Sequence, residues 1–258
     1  MDLAISVFSF ESKRGYFVPP LNLDYLEKET GLSWTLTCGG TRGYAVRHGE
    51  KLGQDLGEQA ADSHFMMRRM ESSLLLGGAG LYRAMPAGRL LFSGVCGSVK
   101  WDSQLNWPDI EAKKSPEVAP IYDWFKALSS HTILRRAADD THLALSNPCE
   151  ALVFVYRGLE WLVFGMGGSW DDLARDLGVP TSDLKDLKKL ANLDSGVRHA
   201  TKTGLKLRAD SDNYGTWVCA LFEAINTARA RLEPGFTPMT PHQVSDAVLR
   251  AFPPIPYE

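Results

Sequence analysis

The stretch Asn147-Pro-Cys-Glu-Ala-Leu-Val-Phe-Val-Tyr-Arg-Gly-Leu-Glu-Trp-Leu-Val-Phe164 decides the fold of the second half of the chain. It opens with a strong helix start, because Asn147 supplies a cap oxygen, proline tolerates the first helical position and Glu150 can reach back to the cap amide. From Ala151 to Phe164 the residues are apolar on nearly every side of a helix, and glycines follow at 165, 167 and 168. This pattern predicts a central, buried helix.

Helical periodicity extends from this stretch in both directions and begins at about residue 120. Cap residues and apolar spacing of helical period identify each of the other helices. Together they predict an α-helical bundle. The other predicted helices are Ile121 to Leu145, a short one from Ser169, one from Thr181 towards Asn192, Tyr214 to Leu232, and Val244 to Phe252.

The first hundred residues have a different period, with short alternating apolar runs typical of strands. The fold class predicted is therefore α+β: a strand-rich, mixed N-terminal domain over residues 1–115 and a helical bundle over residues 116–258. Predicted strands are Leu3 to Phe10, Trp34 to Cys38, Tyr44 to Arg47 and Leu90 to Val95, and predicted helices are Leu23 to Thr30 and His64 to Leu76.

Composition limits the class of protein. With 44% hydrophobic and 23% charged residues the chain is typical of a soluble globular protein, and its net charge of −3 restricts any contact with a polyanion to a local patch. No signal peptide is evident, and the most apolar segment, residues 151–166, is too short to span a bilayer. The four cysteines form no Cys-x-x-Cys pair. We therefore expect a cytoplasmic protein that has no metal site, cofactor or membrane partner.

A local concentration of positive charge surrounds the segment Asn192 to Gly204, which holds the adjacent pair Arg198-His199 on a predicted helix end. Such a cluster is a candidate for contact with phosphate groups of RNA or a nucleotide. An alternative is purely structural, with Arg198 paired to Asp194 and His199 placed near a helix C-terminus. The basic residues of the segment are Lys185, Lys188, Lys189, Arg198, Lys202, Lys206 and Arg208.

Between about residues 120 and 235, the sequence places two long apolar helices, a short helix, a turn ending in Arg198-His199 and a closing amphipathic helix. This order resembles the HEPN family of small helical domains, found in many prokaryotic RNases and defence proteins. Members with nuclease activity carry an Arg a few residues before the His. Here positions 192 to 194 hold Asn, Leu and Asp instead. The resemblance therefore implies a non-catalytic version that serves in homodimerisation or nucleotide contact.

The residue types needed for RNA cleavage are nevertheless present. An imidazole can take the 2′-hydroxyl proton and a guanidinium can stabilise the charge on the phosphorus, which makes His199 and Arg198 the catalytic candidates. On a helix, Arg135, Asp139 and His142 share one face and form a second candidate cluster for acid–base work. The alternative for that cluster is a salt-bridged, solvated helix face.

These observations leave three functional hypotheses open. The leading one is a non-catalytic interaction module, homodimeric, that contacts RNA or a nucleotide at the basic segment. The second is a metal-independent RNase that uses His199 with Arg198 or Arg135. The third is a small-molecule enzyme with its site between the two halves of the chain.

Overall fold

A computed structural model describes residues 2–12, 18–26, 31–49, 56–92, 118–147, 150–197 and 211–251. A five-stranded antiparallel sheet is followed by a helical second half, which confirms the predicted α+β class. The described residues group into two compact units, the first within Met1–Phe125 and the second within Lys126–Phe252. The domain boundary predicted at residue 115 lies outside the described residues.

The sheet of the first unit has the strand order β2-β3-β4-β1-β5, and each neighbouring pair is antiparallel. One helix, α1 (Leu56–Leu76), contributes Met66, Met67, Met70 and Leu74 to a core shared with the sheet. The strands are β1 (Asp2–Ser12), β2 (Val18–Leu26), β3 (Ser33–Gly40), β4 (Arg42–Gly49) and β5 (Tyr82–Phe92).

The helix predicted over Leu23 to Thr30 is wrong in its described part, because β2 runs to Leu26. Leu21 and Leu23 are buried while Asn22 and Asp24, which alternate with them, are exposed, and this is the period-two alternation of a strand. Leu23 lies opposite Leu36 of β3. Pairing with β3 therefore outweighs a local pattern too short to distinguish helix from strand.

A buried carboxylate ties α1 to β5. Glu71 is 1% exposed; its Oε1 accepts a hydrogen bond from the backbone N–H of Ala84, and its Oε2 lies 3.1 Å from Nη1 of Arg68. Removing this acceptor leaves a buried amide unsatisfied, and that loss costs more than the net contribution of an ordinary hydrogen bond.

Glu71→Leu is expected to lower the free energy of unfolding by about 3 kcal/mol, because the amide of Ala84 loses its acceptor and Arg68 its carboxylate. Urea unfolding of the full chain measures the change. Glu11→Leu is the matched control on an exposed position, where about 0.5 kcal/mol or less is expected. Equal losses in the two variants would contradict this role of Glu71.

The second half of the chain supplies seven described helices, numbered α2 to α8. The single helix predicted over Ile121 to Leu145 is interrupted at His131, whose backbone is extended (φ −124°, ψ 99°) and which precedes the first turn of α3. The helices are α2 (Ala119–Ser130), α3 (Thr132–Ser146), α4 (Ala151–Gly165), α5 (Trp170–Leu177), α6 (Thr181–Val197), α7 (Ser211–Leu232) and α8 (Pro241–Ala251).

In the second unit, helix α4 contacts α3, α6 and α7, and α7 contacts α3, α4, α5 and α8. Two glycines permit close approach: a Cβ on Gly158 would lie 2.8 Å from Leu221 of α7, and one on Gly165 would lie 2.7 Å from Ile133 of α3. Helix α4 is less buried than its apolar run predicted: seven of its fifteen residues are buried, and Phe164 is 66% exposed. No described helix is long and apolar enough to cross a membrane.

Candidate functional site

Helix α6 carries the described part of the basic segment. Lys185, Lys188 and Lys189 are exposed and are spaced so that they share one side of the helix; we call them the lysine face. The opposite side is fixed by the bundle, where Leu184, Leu187 and Ala191 are buried. Burial of these apolar residues therefore turns the three ammonium groups towards solvent.

The connection between α5 and α6 sets where the lysine face begins. Gly178 ends α5 in the left-handed conformation (φ 64°), and the Thr181 hydroxyl donates to Oδ1 of Asp171 at 2.9 Å. Lys189 Nζ lies 2.8 Å from Oδ1 of Asp186, an exposed pair that contributes little to stability. Among the described residues, Lys185 and Lys188 form no ion pair.

The rest of the predicted basic segment lies outside the described residues. This applies to Arg198, His199, Lys202 and Lys206, which include both catalytic candidates. Helix α6 extends to Val197, but the side chain of Asp194 is likewise not described. The structure therefore brings together Lys185, Lys188 and Lys189, while the other residues of the predicted site stay predictions.

The second predicted cluster lies on α3. Arg135, Asp139 and His142 share one helix face by their spacing, as predicted, and each makes further polar or electrostatic contacts. Arg135 and Asp139 are half-buried, whereas His142 is only 3% exposed. In this conformation the His142 imidazole is packed inside the unit.

An ion pair that the sequence did not reveal links α3 to α4. Nε of Arg157 donates to both carboxylate oxygens of Asp140, at 2.9 and 3.0 Å, and Nη2 also donates to Oδ1. Arg136, which precedes Asp140 by four residues, lies over the Trp161 ring, 4.1 Å from its centroid. The only sequence signal for this pair was a charged residue within the apolar run of α4.

Burial governs the electrostatics of this pair. The side chain of Asp140 is 3% exposed, and desolvation raises its pKa above 3.8 although the hydrogen bonds and charge of Arg157 act in the opposite direction. The carboxylate in turn raises the pKa of Arg157, mainly through its hydrogen bond. The guanidinium therefore stays charged, and the pair fastens α3 to α4.

On one side of α4, Arg157 and Phe164 are exposed, and Val153 and Glu160 are half-buried. Val153, Arg157, Glu160 and Phe164 follow one another at intervals of four, three and four residues, and we call them the outward stripe. Arg157 is 45% and Phe164 66% exposed. The Tyr156 hydroxyl beside the stripe donates to Oε1 of Glu160 at 3.2 Å, and burial together with Glu160 raises the pKa of Tyr156 to about 12.

A small pocket, partly open to solvent, lies between α4, α5 and α7. Its carboxylates have structural partners. Asp172 forms a capping box with Ser169, and its hydrogen bonds with Ser169 are the largest cause of its lowered pKa. Asp176 pairs with Arg231. The two carboxylates are thus engaged in holding helices rather than poised for proton transfer.

A polar chain also crosses the sheet of the first unit. The Thr35 hydroxyl donates to Oδ1 of Asp24 at 2.7 Å and lies 3.0 Å from Nε2 of His48. Because its only proton goes to Asp24, Thr35 accepts from His48, which places a proton on Nε2. Strand register brings these residues together, and no pattern in the sequence indicates that they meet.

No group of three or more His, Cys, Asp or Glu side chains among the described residues could hold a metal ion. Cys38 and Cys219 are free, and burial raises the pKa of both thiols.

Two features of the described surface of the helical unit are candidates for recognition, the lysine face and the outward stripe. No protein-family model, curated protein or solved structure significantly matches this chain, so its function has to be argued from these side chains.

Proposed function

We propose that the helical unit is a non-catalytic interaction module that contacts the phosphates of RNA or a nucleotide through the lysine face. One observation carries the proposal: Lys185, Lys188 and Lys189 are exposed together on the side of α6 opposite its buried residues. The contact is expected to continue into the basic residues Arg198, Lys202 and Lys206.

The geometry of α6 suits a phosphate backbone. Lys185 and Lys189 are four positions apart on the helix, an axial rise of about 6 Å, so that neighbouring phosphates of one strand are within reach of flexible lysine side chains. With a net charge of −3 on the whole chain, the attraction is local. Local charge of this kind favours sequence-independent contacts that weaken with salt.

The described ionisable groups of α3 are not arranged for RNA cleavage, whereas the catalytic candidates Arg198 and His199 lie outside the described residues. Cleavage needs an imidazole that reaches the substrate, and His142 is 3% exposed. Asp140 is held in its ion pair with Arg157. Positions 192 to 194, where HEPN nucleases would carry the arginine, hold Asn, Leu and Asp.

Replacing Lys188 and Lys189 together by Glu is expected to reduce the affinity for single-stranded RNA at least tenfold at low salt, because two phosphate contacts become repulsive. Fluorescence anisotropy of a labelled oligonucleotide measures the affinity. Competition with ATP distinguishes a nucleotide site from a site for the polymer.

The matched control is Arg83→Glu with Lys126→Glu, which changes the net charge equally at exposed positions outside α6. Its affinity is expected to stay within about threefold of the wild type. An equal loss in both variants would assign the attraction to overall charge, and the lysine face would then not be the contact.

A further inference from the structure

The two edge strands of the described sheet, β2 and β5, each have a backbone amide that faces away from the sheet and is occupied by a helix side chain. On β5 this amide belongs to Ala84, which donates to the carboxylate of Glu71. Ala84 lies opposite Phe10, whose own N–H donates to the Thr41 carbonyl at 2.8 Å, on the side away from β5. Since opposing residues of an antiparallel ladder either exchange both hydrogen bonds or none, the Ala84 amide points to the free edge. Pro86, the next residue that faces this edge, has no N–H to offer.

Asn22 holds the corresponding place on β2. Its N–H donates to the hydroxyl oxygen of Tyr122 at 2.9 Å, and the same hydroxyl donates to its carbonyl oxygen at 2.7 Å. An adjacent strand would offer this residue one donor and one acceptor in the same way. The Tyr122 hydroxyl therefore takes the place of a further strand at this position, and Pro19 and Pro20 before it have no N–H.

Packing holds the Tyr122 hydroxyl over this edge. Its ring is half-buried and packs against the hydrophobic core of the first unit, in which Ile121 and Phe125 of α2 are buried. Burial raises the pKa of Tyr122, so the hydroxyl keeps its proton at neutral pH and can donate and accept together. The contact between the hydroxyl and the strand edge is therefore a fixed part of the unit.

An unpaired strand edge is a template to which a strand of another molecule can add. We propose that the Tyr122 hydroxyl is a gatekeeper, a group that closes the β2 edge to pairing with the sheet edge of another copy of the chain. The edge ends at Leu26, whose side chain is 58% exposed, so an open β2 would present unpaired backbone groups beside an apolar side chain. This inference concerns the first unit and does not depend on the proposed contact with RNA or nucleotide.

Amide hydrogen exchange of the full chain, followed by NMR at low concentration, tests the closure of the edge. Tyr122→Phe removes only the hydroxyl, and it should accelerate exchange of the Asn22 amide by about tenfold or more, because that amide loses its acceptor. The amides of Leu21 and Leu23 alternate with it and face β3, so their exchange should change much less. Equal acceleration at all three positions, or an Asn22 amide that exchanges as fast in the wild type, would overturn the closure.

Light scattering against concentration, together with thioflavin T fluorescence, tests what an open edge does. Tyr122→Phe should reach an average mass about twice that of the wild type or more, with a rise in fluorescence. Tyr214→Phe is the matched control, because its hydroxyl also donates to a backbone carbonyl, that of Ala144 at 2.8 Å, but on a helix and not on a strand edge. It should keep the wild-type mass.

Adding Leu26→Lys to Tyr122→Phe places a charge on the open edge and should restore the wild-type mass, since a lysine on an edge strand opposes strand addition. A wild-type mass for Tyr122→Phe at every concentration would overturn the gatekeeper role. Equal association of Tyr214→Phe, or association that Leu26→Lys does not reduce, would overturn it as well, because the cause would then be lost stability and not the β2 edge.

Discussion

Arg157→Met is expected to lower the free energy of unfolding by about 3–5 kcal/mol at neutral pH, because it leaves the buried Asp140 carboxylate without its partner. Asp140 is 3% exposed and is held by Nε and Nη2 of Arg157. A buried carboxylate without a countercharge is far more costly than a buried hydrocarbon. Urea unfolding at chain concentrations too low for association measures the loss.

The loss should shrink as the pH falls. Burial already holds the pKa of Asp140 above 3.8, and removing Arg157 removes both interactions that lower it. A carboxyl whose pKa is higher in the folded chain adds stability below its unfolded pKa, and this stability is lost as the pH rises through its folded pKa. The difference between wild type and Arg157→Met is therefore expected to be smaller at about pH 4 than at pH 7.

Two comparisons isolate the buried charge. Adding Asp140→Leu to Arg157→Met should recover most of the loss, since an apolar pair can replace a buried ion pair at little cost. Lys189→Met, which removes the exposed pair with Asp186, should change the free energy of unfolding by about 0.5 kcal/mol or less. A pH-independent loss in Arg157→Met, or no recovery in the double variant, would show that the buried charge is not the cause.

Gly158→Leu is expected to lower the free energy of unfolding by about 2–3 kcal/mol, because α4 and α7 meet closely at this glycine. A Cβ there would lie 2.8 and 2.9 Å from the terminal methyls of Leu221, which is fully buried, and 3.4 Å from Cβ of Asp140. A leucine side chain needs more room than those methyls can yield. The gain in helix propensity over glycine offsets only about 0.8 kcal/mol.

Thermal or urea unfolding of two further variants tests this packing. Gly158→Ala should be close to neutral, since small shifts of the Leu221 methyls and better helix propensity offset each other. Gly235→Leu is the control at an exposed turn where no atom lies within 4 Å of an added Cβ, and no comparable loss is expected. Similar stability of the two leucine variants would contradict close packing at Gly158.

The order of helices could be predicted from sequence because caps and apolar period are local signals. The apolar run from Ala151 located α4, but the predicted cap was wrong: Asn147 is the C-cap of α3, where its Nδ2 donates to the Leu143 carbonyl at 3.1 Å, and α4 begins after Glu150 with no side-chain cap hydrogen bond. The same run could not indicate which side would stay uncovered, since exposure of Phe164 depends on where α3, α6 and α7 pack. The break at His131 and strand β2 were missed because a backbone bend and a strand partner are both set by tertiary contacts.

The candidate site, too, could be predicted from sequence only in part. The sequence predicted that Lys185, Lys188 and Lys189 belong to one basic segment, but their common side of α6 follows only from the burial of Leu184, Leu187 and Ala191. Residue spacing could not reveal the ion pair between Asp140 and Arg157, because the two residues lie on different helices and meet only through packing. The adjacent Arg198 and His199 lie outside the described residues and stay predictions.

The most direct test of binding without cleavage is a titration of end-labelled single-stranded RNA with the wild-type chain in EDTA, at low and raised salt, followed by sizing of the RNA. We expect anisotropy to rise at low salt and to fall steeply as salt is added, with the RNA recovered at full length. Absence of binding at the lowest salt would contradict the proposed phosphate contact. RNA that is shortened by the wild-type chain but stays at full length with His199→Ala would contradict the non-catalytic assignment.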